Sequence, residues 1–379
     1  MIPSTMNFTS CIYLLLIILT TNHFILSHSE NCNPDDKRTL LQIKKEFGNP
    51  SQLSSWDPTI DCCNSTWLGV DCDNFNRTYR ITGLDLENIN LPKPVPIPPS
   101  IFNLPSLNVL YLAYMPNLVG PIPPSISKLS KLNYIYIIQT NISGEIPYTL
   151  SQIKTLVTIS FNSNKLTGPL PASLSTIPTL AGIAFNDNQL TGTIPESYGS
   201  FPPLFTGLLL SRNRLSGKIP ASLRKLNLAD VDLSHNAFEG DASMFFKSNI
   251  LTYTITLGSN SFAFDISKVG LSKDLNKLDI RHNKIYGKLP ERLSELRYLH
   301  KLNVSDNNLC GQIPMNTRFD ASCYVLNKCL FDWNIKKCLT IKYTSCHKRY
   351  SVTQPLILIA TTHTIQAYKI SIPVPPTSN

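Results

Sequence analysis

The chain has 379 residues, with 28 prolines, 16 glycines, ten cysteines and a formal net charge of +9. Its Lys and Arg are scattered among polar segments with no run of five like charges, which argues against nucleic-acid binding. No stretch reaches the roughly 18 consecutive apolar residues of a membrane span, which argues against a transmembrane receptor.

Residues 1–29 contain no Asp, Glu, Lys or Arg, and Cys11 to Thr20 is an apolar run of ten. That run is too short to cross a bilayer. Ser27-His28-Ser29 places small residues where signal peptidase reads them, so cleavage near Ser29 and a secreted product are expected. Next, Asn33-Pro34-Asp35-Asp36 precedes Leu40, Leu41, Ile43 and Phe47. This reads as a helix with an Asn cap, proline at its first position, acids in its first turn and Gly48 as its stop. Residues 30–79 form an N-terminal cap in this reading. Within it Cys32, Cys62, Cys63 and Cys72 surround Trp56 and Trp67. Clustered cysteines in a secreted chain are staples before they are metal ligands.

From about Arg80 to Pro314 one grammar returns: L-x-x-L-x-L-x-x-N-x-L-x-G-x-I-P, then x-x-L-x-x-L, plainest in Thr155 to Leu174. Its asparagines fall at Asn117, Asn141, Asn164, Asn188, Asn213, Asn236, Asn260, Asn283 and Asn307, 23 to 25 residues apart. This is the pattern and period of the leucine-rich repeat. Ile159 and Phe161 are two apart, the period of a strand, so both point inward and Ser160, Asn162 and Ser163 are expected to face outward. Asn164 ends the strand, where a buried amide can pair backbone groups that the turn leaves open. Six buried apolar side chains at roughly 1.5 to 3 kcal/mol each cannot offset roughly 1 to 2 kcal/mol of backbone entropy for each of about 24 residues. A lone repeat is therefore unstable, and stacking supplies the missing burial. The expected fold is an α/β solenoid, a right-handed superhelix of about ten repeats with a parallel sheet on its concave face and cysteine-stapled caps.

The repeats are uneven. In the first, Ile89 sits where asparagine belongs, and Pro92 to Pro99 holds five prolines, read as a stiff turn. Repeats two and three carry Asn117 and Asn141 one residue late, read as a bulge in each. Repeats seven and eight have Asp241-Ala242 and Asp265-Ile266 in place of Ile-Pro, which should loosen the turn. After Pro314 the pattern stops; residues 315–338 read as a C-terminal cap and 339–379 as a poorly ordered tail. Removing residues 1–29 leaves nine cysteines, an odd number, so at least one thiol is free or bonded to another molecule.

The run from Asn33 through SSWDPTIDCCNSTWLGVDC, the ten repeats, HNKIYG at His282 to Gly287 and LNVSDNNLCGQIP at Leu302 to Pro314 resembles the polygalacturonase-inhibiting proteins. The likeness covers about residues 30 to 338 and includes Gly240-Asp241-Ala242-Ser243 of repeat seven. It implies a secreted cell-wall protein of plant defence whose concave face blocks microbial or insect endopolygalacturonases. A diverged relative with a developmental, peptide-binding or ice-binding role is the alternative. The resemblance also implies disulfides Cys32–Cys62, Cys63–Cys72 and Cys310–Cys329. The second thiol of the family's Cys-x-Cys is missing at Phe331, which leaves Cys338 to pair with Cys323 or Cys346. In the family's acidic strand column Asp232 and Asp279 are present while Ser160 and Thr256 depart. In its basic column Arg212, His235 and His282 remain, whereas Asp187 and Ser259 do not.

For chemistry, Asp232 and Asp279 lie two repeats apart, roughly 10 Å at about 4.8 Å per strand. That is just beyond the roughly 6.5 to 9.5 Å spacing of inverting glycosidases, and no wall is expected to bury either acid, so an enzyme is not expected. No G-x-S-x-G or H-E-x-x-H string occurs, the histidines lack metal-ligand spacing, and neither cofactor nor metal is expected. Binding is favoured instead. The concave face should present Ser160, Asn162, Ser163, Asn186 and Asp187 as a polar, partly acidic area. Leu209, Arg212, Asp232, His235, Asp279, Arg281 and His282 should follow, mostly basic, with Tyr111, Tyr134 and Tyr136 toward the N-terminal end. An endopolygalacturonase is the expected partner, with acidic pectin as a further contact. Sequons stand at Asn64, Asn76, Asn141 and Asn303. Occupancy is expected at Asn64, less at Asn303 on the concave face, and at Asn141 only if the bulge turns it outward.

Overall fold

The computed structural model describes residues 31–73, 78–315, 319–332 and 337–338. The chain coils so that each repeat adds one short strand to a sheet of eleven. Its first strand, Val70–Cys72, runs antiparallel to Ile81–Glu87. Nine parallel strands follow, from Val109–Ala113 to Lys301–Asn303. Opposite the sheet lie short 3-10 turns of up to five residues, such as Ala172–Thr176, stacked on one another. Between the two runs a single file of leucine, isoleucine and phenylalanine, with Phe161 on Phe185 and Phe238 on Phe262.

The ladder amides explain why asparagine recurs. Asn188 Nδ2 donates to the carbonyls of Phe161, Phe185 and Asn186, and its Oδ1 accepts from Leu166 N. Asn164, Asn213, Asn236, Asn260, Asn283 and Asn307 donate in the same pattern to their own turn and the repeat before. Each amide thus bonds four backbone groups inside the coil and ties its own turn to the repeat before.

Two readings of this ladder need correction. In repeats two and three the inner slot, just after the positive-φ residues Tyr114 and Gln139, is held by buried Met115 and Thr140, not by Asn117 and Asn141. Thr140 Oγ1 donates to Asn164 Oδ1 at 2.5 Å, so a hydroxyl stands in for the amide. Repeat three therefore carries no extra residue, and the bulge belongs to repeat two alone, where Pro116 is inserted. Nor does the ladder stop at Pro314. Leu326 has φ 57°, and Asn327 Nδ2 donates to the carbonyls of Val304, Tyr324 and Val325 while its Oδ1 accepts from Leu309 N. A shortened eleventh turn caps the stack, hidden in the sequence because it lacks the leucine and Gly-x-Ile-Pro signals.

The sequence also gave no hint of strand pairing beyond the ladder turn. There the L-x-G segments pair across repeats into three ribbons among the described residues, one of them made of Val119–Pro121, Asn141–Glu145 and Lys165–Thr167. Their glycines, such as Gly168 at φ +76°, take a conformation that side chains resist. Repeats seven and eight, without Ile-Pro, have convex turns of three residues, and Asp265 caps one of them through Ser267 N.

The cap helix, Pro34–Glu46, starts at Asn33, whose Oδ1 accepts from Asp35 N and Asp36 N. Asp36 is buried, takes Arg80 Nε and Nη2 at 2.8 and 2.7 Å, and accepts from Ile81 N, tying the cap to the first repeat. Trp56 stacks on Trp67 beneath it. Cys32–Cys62, Cys63–Cys72 and Cys310–Cys329 are bonded. Cys323 is buried, while the side chain of Cys338, all of Cys346 and the sequon at Asn76 lie outside the described residues, as do 1–30 and 339–379.

Candidate protein-binding face

The concave sheet sets side chains in columns because parallel strands pair in register. One column runs Tyr111, Tyr136, Ser160, Ala184, Leu209, Asp232, Thr256, Asp279 and Asn303. Two residues on lie Asn162, Asn186 and Arg281, and next to these the column before the ladder, Ser163, Asp187, Arg212, His235, Ser259 and His282. All six of that last column have φ between 53 and 58° although none is glycine. The strain is balanced by the backbone bonds it permits: Ser163 N donates to Asn186 O, and Asn164 N to Asp187 O.

Several side chains expected to meet solvent are engaged in the sheet. Ser160 and Thr256 stand in the concave column but are buried among their neighbours, so Ser160 is not offered to solvent as expected. Ser160 lies between Tyr136 and Ala184 in register and receives Asn162 Nδ2 at 3.2 Å. The oxygens of Asn162 and Asn186 accept from Asn186 N and Ser211 N on the following repeats. Asp232, Asp279 and Asn303 share one geometry, each accepting from the backbone N–H two residues on.

The central charges are largely paired. Asp187 faces Arg212 and Asp279 faces Arg281, both at 3.6 Å, and His282 Nδ1 contacts Asp306. Asp279 has a side chain only 15% exposed, so an acid expected in the open is walled in by its neighbours. Desolvation raises its pKa, against the pull of Arg281 and Lys277. His235 is lowered by burial and then by Arg212 and Arg281, with Asp232 and Asp279 pulling the other way. It stays neutral until the solution is more acid than imidazole ordinarily needs. Leu209 adds a half-buried apolar spot between these groups.

The N-terminal end of the face is different. Val109, Tyr111, Tyr114, Tyr134, Tyr136 and Ile138 are all half-buried, with the Tyr111 and Tyr136 rings 5.8 Å apart. Both phenols are pushed up to about 12 by desolvation, so they remain donors. Asp85 and Glu87 are exposed beside them. Asp85 is raised to about 6, by desolvation first and then by Glu87 and Asp71. Neither acid appeared in the sequence reading. Both alternate with Leu84 and Leu86 in Ile81–Glu87, but that repeat lacks the asparagine that marks the others.

Residues 33–73 match the family model described as "Leucine rich repeat N-terminal domain", and 205–226 match "Leucine Rich Repeat". Polygalacturonase inhibitor 2 of Phaseolus vulgaris is 62% identical over 333 residues, covering 87% of this chain and 96% of the relative. The chain belongs to the polygalacturonase inhibitor family. A second member, polygalacturonase inhibitor 1 of Arabidopsis thaliana, is 46% identical over 325 residues, 85% of this chain and 96% of that one. Among solved structures, a plant ice-binding protein superposes with a TM-score of 0.77 at 35% identity, over 82% of this chain and all of the other. Both curated relatives are named as inhibitors, and the leucine-rich repeat solenoid is a binding scaffold.

The sequons of this family member differ in setting. Asn64 is exposed, its Oδ1 accepting from Thr66 N and Oγ1. Asn141 stands outside the ladder with Nδ2 on Pro116 O at 2.6 Å, so a sugar there need not displace a buried amide. Asn303 lies in the concave column, its oxygen held by Ser305. No helix among the described residues is long and apolar enough to cross a membrane.

Proposed function

We propose that this chain is a secreted, non-enzymatic inhibitor that lays its concave sheet over the active-site cleft of an endopolygalacturonase in the cell wall. The observation that carries the proposal is the near-full-length identity of 62% to a polygalacturonase inhibitor. The physical support is a rigid, open sheet presenting aromatic, acidic and basic side chains in register. An enzyme that holds a polyanion has a basic groove, and a partner with acidic groups hinders polymer entry there. Arg212, His235 and Arg281 suit the enzyme's acidic rim or pectin itself. Disulfides at both ends fit an oxidising compartment. Catalysis by the Asp232 and Asp279 pair is disfavoured because Asp279 is held by Arg281 and Asp232 by Ser234.

The test is release of reducing ends from polygalacturonate by a panel of fungal and insect endopolygalacturonases, with purified secreted protein, at low and high salt. Inhibition that weakens as salt rises is expected, because charge across the interface is screened. No inhibition of any enzyme would leave the diverged, non-inhibitory scaffold. An ice-binding role is disfavoured by the mixed concave columns, where tyrosine, serine, alanine, leucine and aspartate succeed one another.

A further inference from the structure

We infer that the N-terminal third of the concave sheet, a tyrosine face rimmed by Asp85 and Glu87, is the docking surface for a Lys- or Arg-bearing segment of the target enzyme. This rests on the inhibitor reading and moves its acidic contact away from Asp187, Asp232 and Asp279. Asp187 and Asp279 are paired with Arg212 and Arg281, while Asp232 keeps its charge but has one oxygen engaged by Ser234. Asp71, Asp85 and Glu87 enter no ion pair among the described residues. After desolvation, the groups that raise Tyr111 are Tyr114, Glu87, Asp85 and Tyr136, two of them carboxylates.

The face is also the most apolar part of the concave sheet. Tyr111, Tyr134, Tyr136 and Ile138 stand side by side on two neighbouring strands. With the Asp85 strand they span about 10 Å across and about 16 Å along, room for one loop. Tyrosine supplies large, stiff contact area, and a guanidinium or ammonium over its ring is attracted by the π face. Carboxylates at the rim complete the cation's hydrogen bonds. A polyuronate is repelled by the same carboxylates, so the surface selects the enzyme's basic segment over its substrate.

Asp85→Asn with Glu87→Gln tests this in the full secreted protein, with thermal melting to verify folding and Glu239→Gln on the exposed outer ribbon as control. The double variant should weaken inhibition of a sensitive endopolygalacturonase by about tenfold, whereas Asp232→Asn with Asp279→Asn should change it by less than about threefold. Hexa-arginine, titrated in parallel, should bind the wild type and lose binding to the double variant. Unchanged inhibition and unchanged peptide binding in the double variant would overturn the inference. So would binding of a neutral hexasaccharide of glucose or N-acetylglucosamine at this face with no peptide binding. If no enzyme is inhibited but the peptide still requires Asp85 and Glu87, the inhibitor reading falls and the cation-docking face stands.

Discussion

At the scale of single residues, the buried polar groups matter most. Asp36 accepts three hydrogen bonds from Arg80 and Ile81 with almost no exposure. Asp36→Ala strands the Arg80 guanidinium and should cost about 3 kcal/mol in urea unfolding. The ladder gives a paired comparison. Asn188→Ala removes three amide donations and leaves Leu166 N without its Oδ1 acceptor, and should cost about 2 to 3 kcal/mol, while Asn141→Gln should stay within about 0.5 kcal/mol of wild type. Equal losses at both sites would refute the assignment of Thr140 to the ladder. Asp85 titrates near 6 in the folded protein against 3.8 in the reference state. An acid with a raised folded pKa favours the folded state at low pH, and that contribution is lost as pH rises from about 4 through about 6. Asp85→Asn should therefore raise the melting temperature at pH 7 and leave it unchanged near pH 3.5. The stabilised variant should be the weaker binder, as expected where strain serves recognition.

At the scale of elements, the strand of each repeat was legible because its residues obey two periods at once, leucines at strand spacing and an asparagine every 23 to 25 residues. The cap helix was legible from Asn33, Pro34 and Gly48. The outer ribbons were not, since pairing across repeats depends on the path the chain takes after the ladder turn and leaves no alternation in three-residue segments. The slot exchange at Met115 and Thr140 was hidden for a related reason: an asparagine one position late looks like an insertion until the positive-φ residue before the slot is located. The glycines separate two kinds of constraint. A Cβ on Gly120 would meet only Pro96 at 3.9 Å, so Gly120→Ala should cost about 1 to 2 kcal/mol for its φ alone. A Cβ on Gly69 would fall 1.7 Å from Asp85 O, so Gly69→Ala cannot be housed without parting the cap strand from the first repeat. Melting curves should show a small shift for the first and a broad, low-temperature transition for the second.

At the scale of the whole molecule, stacking converts unstable units into a rigid curved surface, and the caps close its apolar ends. The face proposed to bind was legible from the outward positions of the sheet; which residues remain available on it was not. The sequence shows Asp187, Arg212, Asp279 and Arg281 as four charges, whereas packing resolves them into two local pairs and, among the described residues, leaves Asp85 and Glu87 as unpaired acids at the N-terminal end. Composition cannot reveal that step, because Asp187 meets Arg212 only through the register of neighbouring repeats and Asp279 meets Arg281 only through the local turn at the end of one strand. The central claim is that the concave sheet covers the enzyme. Hydroxyl-radical footprinting of the protein, alone and saturated with an endopolygalacturonase it inhibits, tests that claim most directly. Protection is expected at Tyr111, Tyr136, Leu209 and His235, with Tyr148, Leu204 and Tyr298 on the outer and lateral surfaces reacting as in the free protein. Protection confined to Tyr148, Leu204 and Tyr298, with the concave tyrosines unchanged, would contradict the account.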